Sequence, residues 1–199
     1  MMLDYRVILF LIATVCHLNA QNSPLRTYAL RKDYFNGIKA AEFSIYDISK
    51  KTLYYRIESR YSLLPKFDLV AYPSKQVVGK LEGKVGSIHL SLLDDKTGQW
   101  IAGTMKGNLK FTKHFQYTIE FNGRKILLEK ELLSPHATFR DISQGDVFLA
   151  RYQREFFSPI TATTYGAQIF SNDIPDGLYL LALAWTDMGR SESYGISKG

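Results

Sequence analysis

The chain predicts a mainly β fold: a closed antiparallel β-barrel of about a dozen strands that encloses a C-terminal apolar helix. Three observations carry this expectation. From Arg26 onward the apolar residues recur with period two rather than 3.6, and turn residues interrupt them at short intervals. The one long stretch that breaks the pattern, near the C-terminus, is apolar on every side.

The N-terminus comes first. Arg6 is offset by Asp4, an apolar run extends from Val7 to Val15, and the more polar His17-Leu18-Asn19-Ala20 precedes Gln21. These are the three parts of a secretory signal peptide, with cleavage expected after Ala20. The run is well short of the roughly 20 residues that span a bilayer, so a secreted mature chain without a transmembrane segment is expected. The single cysteine, Cys16, lies in this leader, so the mature chain is expected to be disulfide-free and to hold no thiolate or Cys-based metal chemistry. Beyond the leader, 21–51 reads as an N-terminal extension with the first strands. Residues 52–189 read as the barrel with its helix at 174–188, and 190–199 as a flexible tail.

Strands follow from alternation. Leu53 to Ser59, Phe67 to Tyr72 and Gln76 to Leu81 are separated by Leu64-Pro65 and Pro73-Ser74, and Ile88, Leu90 and Leu92 alternate with His89 and Ser91. Asp94-Asp95-Lys96-Thr97-Gly98 turns the chain into Gln99 to Met105. Phe115, Tyr117, Ile119 and Phe121 alternate with polar residues up to Asn122-Gly123, and Arg124 to Glu129 runs back. Asn-Gly between two such runs is a strong hairpin signal, because both central residues of a type I′ turn need positive φ. Ala137 to Ile142 and Val147 to Gln153 form a further pair. Many short strands at this spacing suit a closed barrel or a sandwich.

The segment Ile174 to Met188 reads as a helix, with Asp173 as its cap, Pro175 in the first turn, Asp176 at the positive end of the dipole and Gly189 as the stop. Leu178 to Trp185 carries no charge. A helix apolar all round must be surrounded by lipid or protein. At about 22 Å it is shorter than the roughly 30 Å hydrocarbon layer, and a closed barrel offers the enclosure.

This arrangement resembles the tubby C-terminal-like superfamily, which includes phospholipid scramblases and LURP-one-related proteins. The resemblance rests on Ile174 to Asp187, on Leu69-Val70-Ala71-Tyr72-Pro73-Ser74-Lys75-Gln76-Val77-Val78-Gly79-Lys80-Leu81, and on Ile88 to Ala102. It implies the barrel with its central helix, and a place among membrane-lipid binders. The Cys-rich and acidic calcium segments expected of scramblases are absent from this sequence, so the resemblance does not extend to scrambling.

The charge of +6 favours anionic partners. Histidines outside the leader, His89, His114 and His136, show no metal-ligand spacing, and no nucleophile elbow, zinc-protease helix or phosphate-cradling loop is present. No cofactor, metal site or catalytic residue is therefore assigned. Asp94-Asp95, Asp141 and Asp146 sit where turns are expected, which Asp favours for its own backbone hydrogen bonds. The densest positive run is Lys106, Lys110, Lys113, Arg124, Lys125 and Lys130, opposed by Glu120 and Glu129. An Asn122-Gly123 turn places Phe121 opposite Arg124 and gathers the basic residues near one end, which makes Lys110, Lys113, Arg124 and Lys125 the candidate anion-binding residues. The expectation is a secreted, non-enzymatic domain that binds an anionic partner, membrane lipid headgroups first. The alternative is a secreted protein-interaction or structural module; nucleic acid fits less well, since the interleaved Phe and Tyr are better read as core.

Overall fold

The computed structural model describes residues 23–33, 42–60, 62–108, 114–131, 134–155 and 164–195. The expected leader, Lys110 and Lys113 lie outside them. Among the described residues twelve strands form the wall: β1 (Arg26–Lys32), β2 (Phe43–Tyr46), β3 (Leu53–Arg60), β4 (Lys66–Ala71), β5 (Gln76–Lys84), β6 (Ser87–Leu93), β7 (Trp100–Asn108), β8 (His114–Phe121), β9 (Arg124–Glu131), β10 (His136–Asp141), β11 (Val147–Glu155) and β12 (Thr164–Ile169). Each pairs antiparallel with the next, and β1 pairs with β12 to close the barrel. Closure leaves no free sheet edge. At the β8–β9 turn Asn122 and Gly123 both take positive φ, 48° and 72°, and Phe121 stands opposite Arg124.

The helix α1 (Asp176–Gly195) fills the lumen with its residues up to Asp187. Leu178 to Ala184 are seven consecutive residues, none more than 2% exposed. Seven residues make about two full turns, so every face of that stretch meets protein. Wall residues such as Leu30, Phe43, Leu81, Ile119, Phe139 and Ala167 alternate inward onto it. The helix starts two residues later than the sequence suggests and continues past Gly189 into the stretch expected to be a flexible tail. A lone glycine costs a helix only about 1 kcal/mol and does not stop it. Pro175 instead precedes the first turn, its carbonyl accepting from the amide of Leu178 at 3.0 Å.

Strand β5 is where the helix comes closest to the wall, and its glycines permit it. A Cβ at Gly79 would lie 3.0 Å from both Leu181 Cδ1 and Leu92 Cδ2 and 3.1 Å from Leu69 Cβ. One at Gly83 would lie 2.8 Å from Trp185 Cη2.

Two inward cations of β1 pin the helix, one at its first residue, Asp176, and one eleven residues on at Asp187. At the first, Arg26 donates to both carboxylate oxygens of Asp176, at 2.7 and 2.8 Å, and to the Ser171 carbonyl at 3.0 Å. The Tyr28 hydroxyl donates to the same carboxylate at 2.6 Å. At the second, Lys32 Nζ lies 2.6 Å from Asp187 Oδ2, and the Tyr165 hydroxyl donates to Oδ1. Burial pushes the Asp187 pKa up, but Lys32, Tyr165 and Lys130 outweigh it and hold this carboxyl below its ordinary value.

Two predictions follow from this packing. Gly79→Ala should destabilise the fold by about 1–3 kcal/mol, the usual cost of overpacking. Gly107→Ala, whose Cβ would meet only Tyr117 at an ordinary 3.4 Å, should not; chemical denaturation of the two variants checks the contrast. For Asp187, the folded pKa is lowered, so its stabilisation is complete above the unfolded pKa of about 4 and is lost as pH falls through the folded value. Asp187→Asn should therefore lower the urea midpoint at pH 7 and reduce the further loss between about pH 5 and about pH 2. An unchanged acid loss would mean that the pair with Lys32 is not formed.

Candidate functional site

Inward-facing charges are consumed by the fold. On β9 the inward face carries Arg124, Ile126, Leu128 and Lys130, so the two cations stand at opposite ends of the lumen. Arg124 Nη1 lies 3.0 Å from Asp141 Oδ2 and 3.4 Å from Asp173 Oδ2. Asp141 is fully buried and also accepts from the Ser143 amide at 3.0 Å and hydroxyl at 2.5 Å. Burial raises its pKa, yet Ser143 and Arg124 together hold it below the ordinary carboxylate value. Asp173, expected to cap the helix, thus serves Arg124. Lys130 is only 7% exposed.

Of the four cations singled out from the sequence, Arg124 is therefore committed to the barrel's interior, while Lys125 is exposed on the outer face opposite Glu120. An open groove of about 690 Å³ brings Lys125 together with Arg124, His89, Thr104 and Glu120. Its lysine and its one acid stand opposite each other. Asn108 and His114, which flank Lys110 and Lys113, stand at the rim opposite the Asn122-Gly123 turn. Of the run that looks continuous in sequence, Lys106 and Lys130 stand most of a strand's length from Arg124 and Lys125.

Three of the acids that the sequence places in turns, Asp94, Asp141 and Asp146, have structural partners. Asp94 accepts from the Thr97 hydroxyl at 2.6 Å and the Lys96 amide at 3.2 Å inside its turn, and Asp146 pairs with Arg140 at 3.0 Å. Among the described residues no group of three His, Cys, Asp or Glu side chains is placed to hold a metal ion. No helix among them is long and apolar enough to cross a membrane.

The rim around the second pin is built differently. The β3–β4 loop presents Leu63, fully exposed, and Leu64, 41% exposed; the β5–β6 turn presents Val85, 96% exposed. The two tips are neighbours, because the Gly83 amide donates to the Pro65 carbonyl at 2.9 Å. One residue layer back stand four cations. Arg60 pairs with Asp68 at 2.8 Å, and Lys66 lies 3.5 Å from Glu82. Lys84 and Lys106 are exposed and make no ion pair among the described residues. They flank β6 at one level, since Lys84 faces Ser87 and Met105 faces Ile88, which puts them about 10 Å apart at two strand spacings.

Of this rim the sequence reading noticed only Lys106. The others are scattered over 46 positions of sequence, from Arg60 to Lys106, and only the hairpin order gathers them. The available signal was the three apolar residues placed inside turns, Leu63-Leu64 before Pro65 and Val85 before Gly86.

Comparison of the chain with protein-family models, with curated proteins and with solved structures returned no match in any of the three.

Proposed function

We propose that the protein is a secreted, non-enzymatic barrel that binds an anionic lipid surface through the rim at the second pin. The observation that carries this reading is the pair Lys84 and Lys106, exposed and without an ion pair among the described residues, beside Arg60 and Lys66. Within this patch Asp68 and Glu82 lie against Arg60 and Lys66, which leaves Lys84 and Lys106 unanswered among the described residues. The chain's net charge of +6 gives the same sign at long range, which favours encounter with phosphate-bearing surfaces. Ammonium groups suit this task as point charges that need no fixed partner geometry. The resemblance to the tubby C-terminal-like superfamily points the same way, with the helix-filled barrel serving as a rigid carrier for its rim.

Co-sedimentation with phosphatidylcholine vesicles, with and without phosphatidylserine, tests the reading. Binding is expected only with phosphatidylserine at about 0.1 M salt, and should weaken at about 1 M, where the screening length falls from about 10 Å to about 3 Å. With about 1 kcal/mol per cation near an anionic membrane, Lys84→Gln with Lys106→Gln should cost roughly thirtyfold in affinity. Lys125→Gln, at the other rim, should cost little. Absence of binding to either vesicle at low salt would reject the proposal and favour the protein-interaction module.

A further inference from the structure

We infer that the two tips at this rim are membrane anchors: Leu63, Leu64 and Val85 enter the acyl layer of an anionic bilayer while the cations behind them meet the phosphates. The inference rests on the anionic-surface reading and adds to it a depth and an orientation, with the barrel axis upright and the second pin of α1 toward the lipid.

The rim is layered. Isolated exposed aliphatic residues are ordinary on protein surfaces, but here three of them occupy the outermost positions of two adjacent loops. The last paired residues below them are Arg60 with Lys66 and Lys84 with Ser87, so cations lie immediately beneath the aliphatic layer. A bilayer interface has the matching order, acyl chains beneath a layer of phosphates, and interfacial proteins combine buried apolar area with basic residues in this way. The Gly83–Pro65 hydrogen bond ties the loops together, so both tips are presented at once with little ordering left to do on binding.

The opposite rim also carries exposed aliphatic residues, Leu25, Ile142 and Val147 at 54%, 39% and 48%, and the exposed lysines Lys51, Lys75, Lys96 and Lys125, but among the described residues none of its aliphatic side chains is fully exposed. Its exposed aromatics have company, Trp100 beneath Lys80 Nζ at 4.7 Å and Phe148 packed on Phe170 at 5.1 Å. Its arginines Arg26 and Arg124 are held by Asp176, Asp141 and Asp173. Its most exposed aliphatic residue, Ile48, is 74% exposed and serves as the internal comparison.

The test uses the purified protein with vesicles of phosphatidylserine and brominated phosphatidylcholine, whose bromines quench tryptophan in the acyl layer. Leu63→Trp and Val85→Trp should each add fluorescence that these vesicles quench, and Ile48→Trp should add fluorescence that they do not. Leu63→Ser combined with Val85→Ser should weaken binding by about tenfold or more, given the cost of withdrawing two aliphatic side chains from an apolar layer. Both positions are exposed, so an unchanged denaturation midpoint is expected and separates lost anchoring from lost folding. Binding to phosphatidylserine vesicles without quenching at either tip would overturn the anchors and leave the electrostatic reading standing. Quenching at Ile48→Trp alone would overturn the orientation proposed here. No binding to any vesicle would remove both readings.

Discussion

A helix with seven consecutive side chains out of water has no stable place except inside a continuous wall, and most of this structure follows from that constraint. The wall must be closed, because an open sheet would leave one side of α1 wet. It must alternate strictly, because each strand supplies only every second residue to the lumen. It must also yield where helix and strand come closest, which is what Gly79 and Gly83 permit on β5. Burying a leucine side chain contributes about 1.5–3 kcal/mol, so Leu178, Leu180, Leu181 and Leu183 alone make enclosure of the helix a leading stabilising term.

The pins decide where along the lumen the helix sits. From Arg26 to Lys32 is about 20 Å of strand, shortened to about 14–16 Å along the barrel axis by a tilt of about 35–45°. From Asp176 to Asp187 is about 16 Å of helix. The two spacings agree, so both ion pairs form together in only one position of the helix. Partly buried ion pairs contribute little net stability because desolvation offsets their attraction. Their role here is therefore one of register: a slide by one helical turn, about 5 Å, would leave Asp176 and Asp187 without their partners.

This accounting also explains which charges remain for function. Arg26, Lys32, Arg124 and Lys130 belong to inward faces, the first three holding acids in the lumen and the last buried. Period-two alternation and the Asn122-Gly123 turn made most of the wall legible from sequence, and the charge-free stretch from Leu178 made the central helix legible. The pairing of Arg124 with Phe121 across the Asn122-Gly123 turn already pointed Arg124 inward, but the apolar Ile126, Leu127 and Leu128 show no alternation that would carry the face on to Lys130. The start of α1 was misplaced because both Asp173 and Asp176 satisfy the chemistry of a helix start. Which of them holds Arg26 and which holds Arg124 depends on contacts 49 and 150 residues away. Strand β12 does alternate, Tyr165, Ala167 and Ile169 against Thr164, Gly166 and Gln168, but over only six residues and with the small Gly166 and Ala167 giving little apolar contrast. The rim of Leu63, Val85, Lys84 and Lys106 was invisible because it exists only once hairpins are set side by side.

The most direct test of the central claim is native-state hydrogen exchange along α1. If the helix is locked in the lumen, the amides of Leu180 to Ala184 should exchange only through global unfolding, at the same free energy as those of β1 and β5. Exchange of these helix amides at a clearly lower free energy, with the strands still protected, would mean that the helix leaves a wall able to stand without it, and would contradict the account.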